Sequence, residues 1–414
     1  MQEEIQMHLD DPAQLERLYR SNRNGFKKAF DAIYPELAGS SVAACWYERL
    51  NYSGSSTNWG TQREIIVVSI AALVAALTVK LPDILHIQQE NFFQRDYSFV
   101  LFPALTAYFG WKHGWNFRRL IPVALIFMLS VVHINLLPAP ANSDTTILTC
   151  IHLPVFLWTV LGYVFTGDDI KDVSRRMEFL RYNGDVLVFT IILCLAGGAL
   201  SMLTIGLFSL IGLHIEAFYV RYVLISGFAA VPVVSTYIVR NNPQMVEKIS
   251  PMVARVFTPL VLIMLTVFLF AFGFSPKDIY NDREFLLLFN LLLIGVTALV
   301  FFSVAESPES GSGKATSLVL FMLTVVTLLI AAIALSAIIF RTIKGGMTPN
   351  RLAVAGTNLL MLINLLMLSY RLLLSVRRRE SLNAVGNAIA SYLPVYAIWT
   401  AIVAFIFPFL FGHR

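Results

Sequence analysis

The sequence predicts an all-α fold, a polytopic helical membrane protein with about eleven transmembrane helices and a small N-terminal cytoplasmic helical domain. Hydrophobic residues make up 57% of the 414 residues and charged residues only 14%, whereas soluble domains contain about 25% charged residues. Two apolar runs, residues 316–340 and 352–376, are each long enough to cross a bilayer, because a helix needs about 20 apolar residues to do so. Composition and run length together indicate a membrane protein.

Residues 1–52 predict a small helical domain ahead of the membrane part. Asp11 and Pro12 suit the N-cap and first position of a helix, and Pro35 should end a second helix before a third begins. Three short helices make a thin core, so we expect this domain to pack on the membrane part, on itself or on a cytoplasmic protein partner. Residues 53–63, rich in Ser, Gly and Asn, predict a linker.

Residues 64–414 should form the multi-helix transmembrane domain. Its apolar segments lie at about 65–85, 97–112, 119–137, 147–166, 186–213, 217–239, 252–274, 285–304, 316–340, 352–376 and 389–411. The second segment is short and could be re-entrant or tilted. Whether it spans decides the orientation of everything after it.

The distribution of Lys and Arg predicts the orientation. If all segments cross with the N-terminus in the cytoplasm, most basic residues of the connections lie inside, as the positive-inside rule requires. The loop at residues 341–351 is an exception. About sixty polar residues precede the first apolar run, so we expect no cleaved signal peptide. We expect a multi-pass protein of the inner (plasma) membrane.

The loop at residues 341–351 has the composition of a capped turn. Gly345 and Gly346 permit the backbone conformations that end a helix. Thr348 can cap the next helix, with Pro349 at its first position. Such a helix N-terminus could also attract an anion or a lipid headgroup. The candidates for that role are Lys344, Thr348 and Arg351. The alternative is a capped turn whose Arg anchors at the interface, because capping alone explains Gly, Thr and Pro.

Two stretches of the second half resemble a known family. The first is ISPMVARVFTPLV at residues 249–261, and the second is the Gly-x-Thr-x-x-Arg loop at residues 346–351. Over roughly residues 180–380 the chain resembles an uncharacterised bacterial family of multi-spanning membrane proteins, a domain of unknown function. The resemblance implies a bacterial inner-membrane location and no established substrate.

Polar side chains in or beside the apolar segments are the candidate ligand-binding residues, because such groups usually face a protein interior or cavity. These candidates are His133, His152, Glu216, Arg221, Asn364 and Arg371. The first four fall near the outer face of the membrane in the predicted topology. A proton- or metal-binding cluster is one interpretation, and plain interfacial hydrogen bonding is the other. We expect no metal and no cofactor.

The segment 352–376 carries Asn358 in addition to Asn364 and Arg371. The last two are seven residues apart and share one helical face. Cross-helix partners for this face are Asn290 and Arg255, and snorkelling of the arginines to the interface is the alternative. Between the fourth and fifth segments, residues 167–184 predict an amphipathic helix on the inner surface.

Catalytic signatures are weak. Residues 309–316 resemble a phosphate-binding loop, but Ala315 follows Lys314 where Ser or Thr is needed. The sequence contains neither His-Glu-x-x-His nor Gly-x-Ser-x-Gly. Asp185, at the start of the fifth segment, lacks a second intramembrane Asp with which to form an acid pair. Candidates for lipid-linked chemistry are limited to Asp83, Glu90 and Asp96. We assign no catalytic residue, and an enzyme is less expected than a non-enzyme.

Two functions therefore stay open. The number of segments, their internal prolines and their polar residues favour a transporter or permease-like protein for a small solute or lipid. The alternative is a non-transporting sensor or scaffold whose N-terminal helices bind a cytoplasmic partner. No internal repeat is evident, which weakens the case for a transporter, because many transporters are built from repeated halves. The number of spans is the one reason to rank the transporter ahead of the sensor or scaffold. The lipid bilayer is the expected partner, and no nucleic acid is expected.

Overall fold

The computed structural model describes residues 2–9, 11–37, 39–51, 60–139, 143–167, 169, 171–210, 214–274, 280, 283–307, 314–377 and 380–412. The chain divides into two compact units, Met1–Trp59 and Gly60–Arg414. Regular structure in these described residues is entirely helical, without a strand. The all-α prediction is confirmed. Residues 53–59 of the predicted linker lie outside the described residues.

The first unit has four helices in its described part. They are α1 Gln2–Met7, α2 Pro12–Ser21, α3 Arg23–Leu37 and α4 Ser41–Asn51. The Asp11 side chain caps α2 by accepting hydrogen bonds from two backbone N–H groups, and Pro12 occupies the first position, as the sequence predicts. Pro35 does not end its helix, since α3 continues to Leu37. A proline this close to a helix end removes one hydrogen bond and leaves only a half-turn to complete.

The second unit is a bundle of helices. In chain order they are α5 Gln62–Thr78, α6 Leu81–Leu85, α7 Gln89–Arg95, α8 Ser98–Lys112, α9 Phe117–Leu136, α10 Asp144–Thr166, α11 Val173–Leu210, α12 Glu216–Phe218, α13 Ile225–Asn241, α14 Pro243–Gly273, α15 Arg283–Ala305, α16 Lys314–Gly345, α17 Pro349–Val376, α18 Leu382–Ala401 and α19 Phe407–Leu410. Two π-helical turns, Tyr219–Leu224 and Ile402–Ile406, join α12 to α13 and α18 to α19. Each joined pair is one continuous helix.

Eight helices among the described residues are long and apolar enough to cross a membrane. They are Phe117–Leu136, Asp144–Thr166, Val173–Met202, Glu216–Asn241, Ile249–Phe270, Lys314–Gly345, Pro349–Val376 and Leu382–Leu410. The chain is therefore a multi-pass membrane protein. The three other predicted segments form α5, α8 and α15, and the apolar part of α15 is Phe289–Ala305. A 15-residue helix such as α8 is only about 22 Å long, and length and composition together support eight crossings and not eleven.

Opposite helix ends define two faces of the bundle. At the face where α5 begins, Lys112 at the end of α8 forms a 2.8 Å ion pair with Glu64, and we call this the Glu64 face. At the other, the Asp83 face, Arg221 pairs with Asp83 at 2.9 Å. Two buried apolar clusters fill the interior, one mainly from α5, α8 and α10 and the other mainly from α15, α16 and α17.

The helix α11 differs from the prediction. The prediction of a separate surface helix at residues 167–184 is wrong, because α11 runs without interruption for 38 residues from Val173 to Leu210. No proline occurs in that stretch to end a surface helix early. At Gly184, α11 lies against α15, where an added Cβ would sit 2.0 Å from Cδ2 of Phe302. The charged first turns of α11 are thus held rigidly at the start of a span.

Candidate functional site

The six candidate ligand residues do not meet in one cavity. His133 supports an irregular part of another helix, since its Nε2 contacts the carbonyl oxygen of Ala404 at 3.0 Å. The Thr149 hydroxyl shares its one hydrogen between this oxygen, at 3.1 Å, and the carbonyl oxygen of Thr145 in its own helix, at 2.9 Å. The usual α-helical donor to this carbonyl would be residue 408, which is a proline without an N–H. His133 therefore satisfies a backbone group.

Three other candidates have separate surroundings. His152 Nδ1 contacts the carbonyl of Leu148 in its own helix at 2.9 Å, and Glu216 is exposed at the start of α12. Arg221 is paired with Asp83, and its guanidinium lowers the pKa of that carboxyl. In the part of the chain that the structure describes, no three His, Cys, Asp or Glu side chains are grouped to hold a metal. The predicted cluster at this face is not formed.

The polar residues of α17 contact different partners. Asn364 is fully buried and donates to the Tyr396 hydroxyl in α18 at 3.0 Å. One turn and a half earlier, Asn358 donates to Asn290 in α15 at 2.9 Å. Asn290 is therefore a cross-helix partner of α17, although through Asn358. Arg371 does not pair with Asn290 or Arg255 and instead binds Glu380 at 2.7 Å.

The loop between α16 and α17 is a capped turn, as predicted. Gly346 has a φ of +78°, in the left-handed region that glycine tolerates best. Thr348 accepts a hydrogen bond from the backbone N–H of Arg351 at 3.3 Å. The Arg351 guanidinium donates to the Gly346 carbonyl at 2.6 Å, and the Lys344 ammonium lies over the Phe340 ring. All three candidate headgroup residues thus make contacts within this turn or its flanking helices.

A cleft of about 430 Å³ opens between α17 and α18. It is lined by Met367, Arg371, Ala384, Asn387, Ala388, Ser391 and Tyr392. From the start of α18 at Leu382 to Ser391 the helix rises about 13 Å, which approaches half of a hydrocarbon core of roughly 30 Å. Arg371 is thus the one sequence candidate, among the six, that lines this cleft.

Two buried carboxyl groups at the Glu64 face form a second site. Asp185 in α11 is 4% exposed, and Glu306, which follows α15, is 3% exposed. Arg181, one turn before Asp185, binds Glu306 with an Nε–Oε1 distance of 3.0 Å. Ser250 in α14 is fully buried beside Asp185. Burial, and then the nearby Asp185 charge, raises the pKa of Glu306 to about 7.

Neighbouring charged groups on this face form their own pairs. Arg175 and Arg240 each bind Glu178 at 3.1 Å. Lys112 and the Tyr108 hydroxyl both donate to Glu64, at 2.8 Å each. Asp185 and Glu306 differ from these pairs, because both acids are almost fully buried and share one nearby arginine, Arg181, which forms its ion pair with Glu306.

The acid near Asp185 is not a second intramembrane Asp but Glu306, at the end of α15. Glu306 lies 125 positions from Arg181 in the chain, so no local motif joins them. The sequence did contain one useful indication. Both carboxyls flank apolar segments, at ends that the predicted membrane topology places on the inside. The predicted topology could place both carboxyls on one face of the membrane, but only the packing of α11 on α15 makes them neighbours.

The fold defines the class of protein, a helical multi-pass membrane protein, and comparison with known proteins adds nothing to it. No protein-family model, curated protein or solved structure matches the chain. The resemblance to an uncharacterised bacterial membrane family stays a prediction.

Proposed function

We propose that this protein is a permease-like membrane protein that binds a small polar solute or a lipid headgroup in the α17–α18 cleft. The cleft carries the proposal, because its volume falls within the range of about 300–1,000 Å³ that is typical of small-molecule sites. A guanidinium, an amide and two hydroxyls line it. Polar groups at membrane depth normally face a cavity or a water-filled path.

The lining favours a ligand with a polar head and an apolar body. Arg371 uses one nitrogen for Glu380, and a guanidinium carries five N–H donors. Its remaining donors, with Asn387 and Ser391, can bind an oxygen-rich or anionic group. Met367 and Ala388 supply apolar wall. A solute or lipid of this kind could enter from the side of the bundle, where Asn387 and Ser391 are exposed.

Eleven crossings, with a cytoplasmic N-terminus in a bacterial inner membrane, belong to the same proposal. Contacts at the Glu64 face support it, because the end of α8 meets the start of α5 there, and Glu306 after α15 meets the first turns of α11. Helices α5, α8 and α15 thus run beside the spans. Local thinning of the bilayer accommodates helices as short as α5 and α8, and the excess of Lys and Arg in the inside connections supports the orientation.

Reconstitution into lipid vesicles tests transport with two readouts on one preparation. Lipid movement is followed by the exposure of a fluorescent lipid to an external quencher, and solute movement by currents when a panel of small polar solutes is added. Ser391→Phe fills the cleft. Ile398→Phe is the matched control, because it adds the same side chain at a 62% exposed position of the same helix.

We expect transport by the wild type and by Ile398→Phe, and a rate about tenfold lower in Ser391→Phe, equivalent to roughly 1.4 kcal/mol of lost binding. The lipid and solute readouts decide which ligand is moved. Absence of transport in both readouts, or equal rates in all three proteins, would reject the proposal.

A second function, a non-transporting sensor or scaffold, is favoured by the first unit. Its buried core is made of its own residues, including Ile5, Leu15, Phe26, Phe30 and Trp46, which suits a binding module. Cross-linking in cells, with the full chain and with a chain lacking residues 1–59, tests this function. A specific protein partner that is lost with the deletion supports it, and unchanged cross-linking counts against it.

A further inference from the structure

The buried carboxyls of Asp185 and Glu306 have no part in the α17–α18 cleft. Both are almost fully buried, at 4% and 3% exposure, on separate elements that pack together at the start of a span. The ionised form of a buried carboxyl costs several kcal/mol unless its charge is compensated. Two such groups side by side repel each other in addition. Their burial therefore demands a compensating positive charge.

Arg181 supplies one positive charge for two carboxyls. Among described side chains, those that interact with the pair are Arg181 from α11 and Ser250 from α14, and Phe302 from α15 lies beside the neighbouring Gly184. Arg240 from α13, on the same face, binds Glu178. With both acids ionised, the group of Arg181, Asp185 and Glu306 keeps one unit of negative charge that no described side chain in contact with it neutralises.

Unused hydrogen-bonding capacity lies at the same place. In the described structure, Asp185 Oδ1 and Ser250 Oγ are buried without a hydrogen bond of normal geometry, although the Ser250 hydroxyl interacts with the Asp185 carboxyl. A buried polar atom without a partner destabilises the folded state. An ionised carboxylate can only accept hydrogen bonds, whereas a protonated carboxyl also donates one. Adding a proton would thus neutralise the excess negative charge and add one donor to the pair, for which the Ser250 oxygen can act as acceptor.

We propose that Asp185 and Glu306 together bind one proton, which neutralises the pair beside Arg181 and donates a hydrogen bond to a neighbouring oxygen. The raised pKa of Glu306, about 7, agrees with this site. A pair that shares one proton titrates in two separated steps. The proposal of a proton site depends only on these contacts. If the protein is a permease, as proposed above, the bound proton would serve as its coupling ion, and only this role rests on the proposed function.

Infrared difference spectroscopy of the full chain in lipid nanodiscs tests the proposal, because a protonated carboxyl has a C=O stretching band that a carboxylate lacks. In the wild type we expect such a band at neutral pH, and its loss as the pH is raised. Glu306→Gln should remove the band. Asp185→Asn removes the like charge beside Glu306, so the midpoint should fall by about one pH unit or more, which is about tenfold in proton affinity.

Glu178→Gln is the matched control, because it removes an ion-paired carboxylate of the same face and should leave the band and its midpoint unchanged. Asp185→Asn carries the test by itself if Glu306→Gln does not fold. A wild-type band that neither replacement removes or shifts overturns the proposal. So does stabilisation of the wild type alone by sodium chloride over choline chloride, which assigns the pair to a metal cation. Neither measurement involves transport, so failure of the permease proposal is distinguishable from failure here.

Discussion

Pro408 explains why two side chains from other helices approach one backbone oxygen. Without an N–H, Pro408 cannot donate to the Ala404 carbonyl four residues earlier, and the helix passes through a π-helical turn at Ile402–Ile406. His133 and Thr149 reach that carbonyl from α9 and α10. Both positions are thereby accounted for by a single break in a helix, without any ligand.

Replacing both donors should cost more than the sum of the single replacements. His133→Leu and Thr149→Val should each lower the free energy of unfolding by about 0.6 kcal/mol, a typical membrane hydrogen bond, because one donor remains. The double variant leaves the Ala404 carbonyl with neither donor, which should cost about 2–3 kcal/mol, more than the roughly 1.2 kcal/mol sum of the two single losses. Adding Pro408→Ala restores an N–H and should rescue the double variant. Unfolding in mixed micelles measures all four, and additive losses without rescue would show that the carbonyl is not the shared partner.

Residue contacts were predictable from the sequence where the rule is local. Thr348 caps α17 and Asp11 caps α2 because a cap acts within three residues of itself. His133 and Ala404 are 271 positions apart, and nothing in either neighbourhood pairs them. The same limit hid Glu306 from Asp185, so the candidate site was predicted by residue type and depth but not by partner.

Helix α11 approaches α15 closely because residue 184 has no side chain. A Cβ at Gly184 would meet the Phe302 ring at 2.0 Å, so Gly184→Ala should destabilise the bundle by about 1–3 kcal/mol through overpacking. Gly197→Ala in the same helix meets nothing within 4 Å and should be neutral or stabilise by up to about 1 kcal/mol. Thermal unfolding compares the two. Equal stability of the two variants would mean that α11 and α15 are not tightly packed at Gly184.

Elements were predictable where length and punctuation agreed. The run 352–376 became α17 with its predicted start, because Pro349 and Thr348 mark the boundary. Residues 65–85 became two helices, since α5 ends at Thr78 and α6 begins at Leu81. Charge pattern alone suggested a surface helix before α11, but a continuous helix formed because no residue there ends it. Apolar periodicity identifies helices better than it identifies their ends.

For the molecule as a whole, Glu306 should make stability depend on pH. Its pKa is raised from 4.5 to about 7 on folding, so the folded state holds this proton more tightly than the unfolded state does. The resulting stabilisation is complete below about pH 4.5 and is lost as the pH rises through about 7. Relative to Glu306→Gln, wild-type stability should increase by about 3 kcal/mol as the pH falls from about 8 to about 4. Parallel pH profiles of the two proteins would contradict a buried titrating Glu306.

The path of the chain through the bilayer can be tested with single cysteines on the two faces. Cys45, Cys150 and Cys194 are free and can first be replaced by Ala. New cysteines would then be introduced at exposed positions in the protein as Gln89→Cys, Asn116→Cys, Arg175→Cys and Met347→Cys. Labelling of intact cells with a membrane-impermeant maleimide reports which positions lie outside.

With eleven crossings and a cytoplasmic N-terminus, Gln89→Cys and Met347→Cys should label in intact cells. Asn116→Cys and Arg175→Cys should label only after permeabilisation. The short helix α8 lies between Gln89 and Asn116, so labelling of both from one side would show that α8 does not cross. Arg175→Cys would then change sides, and so would Met347→Cys unless α15 also fails to cross. Because α8 carries Lys112 to Glu64 at the start of α5, the packing at that face favours a full crossing.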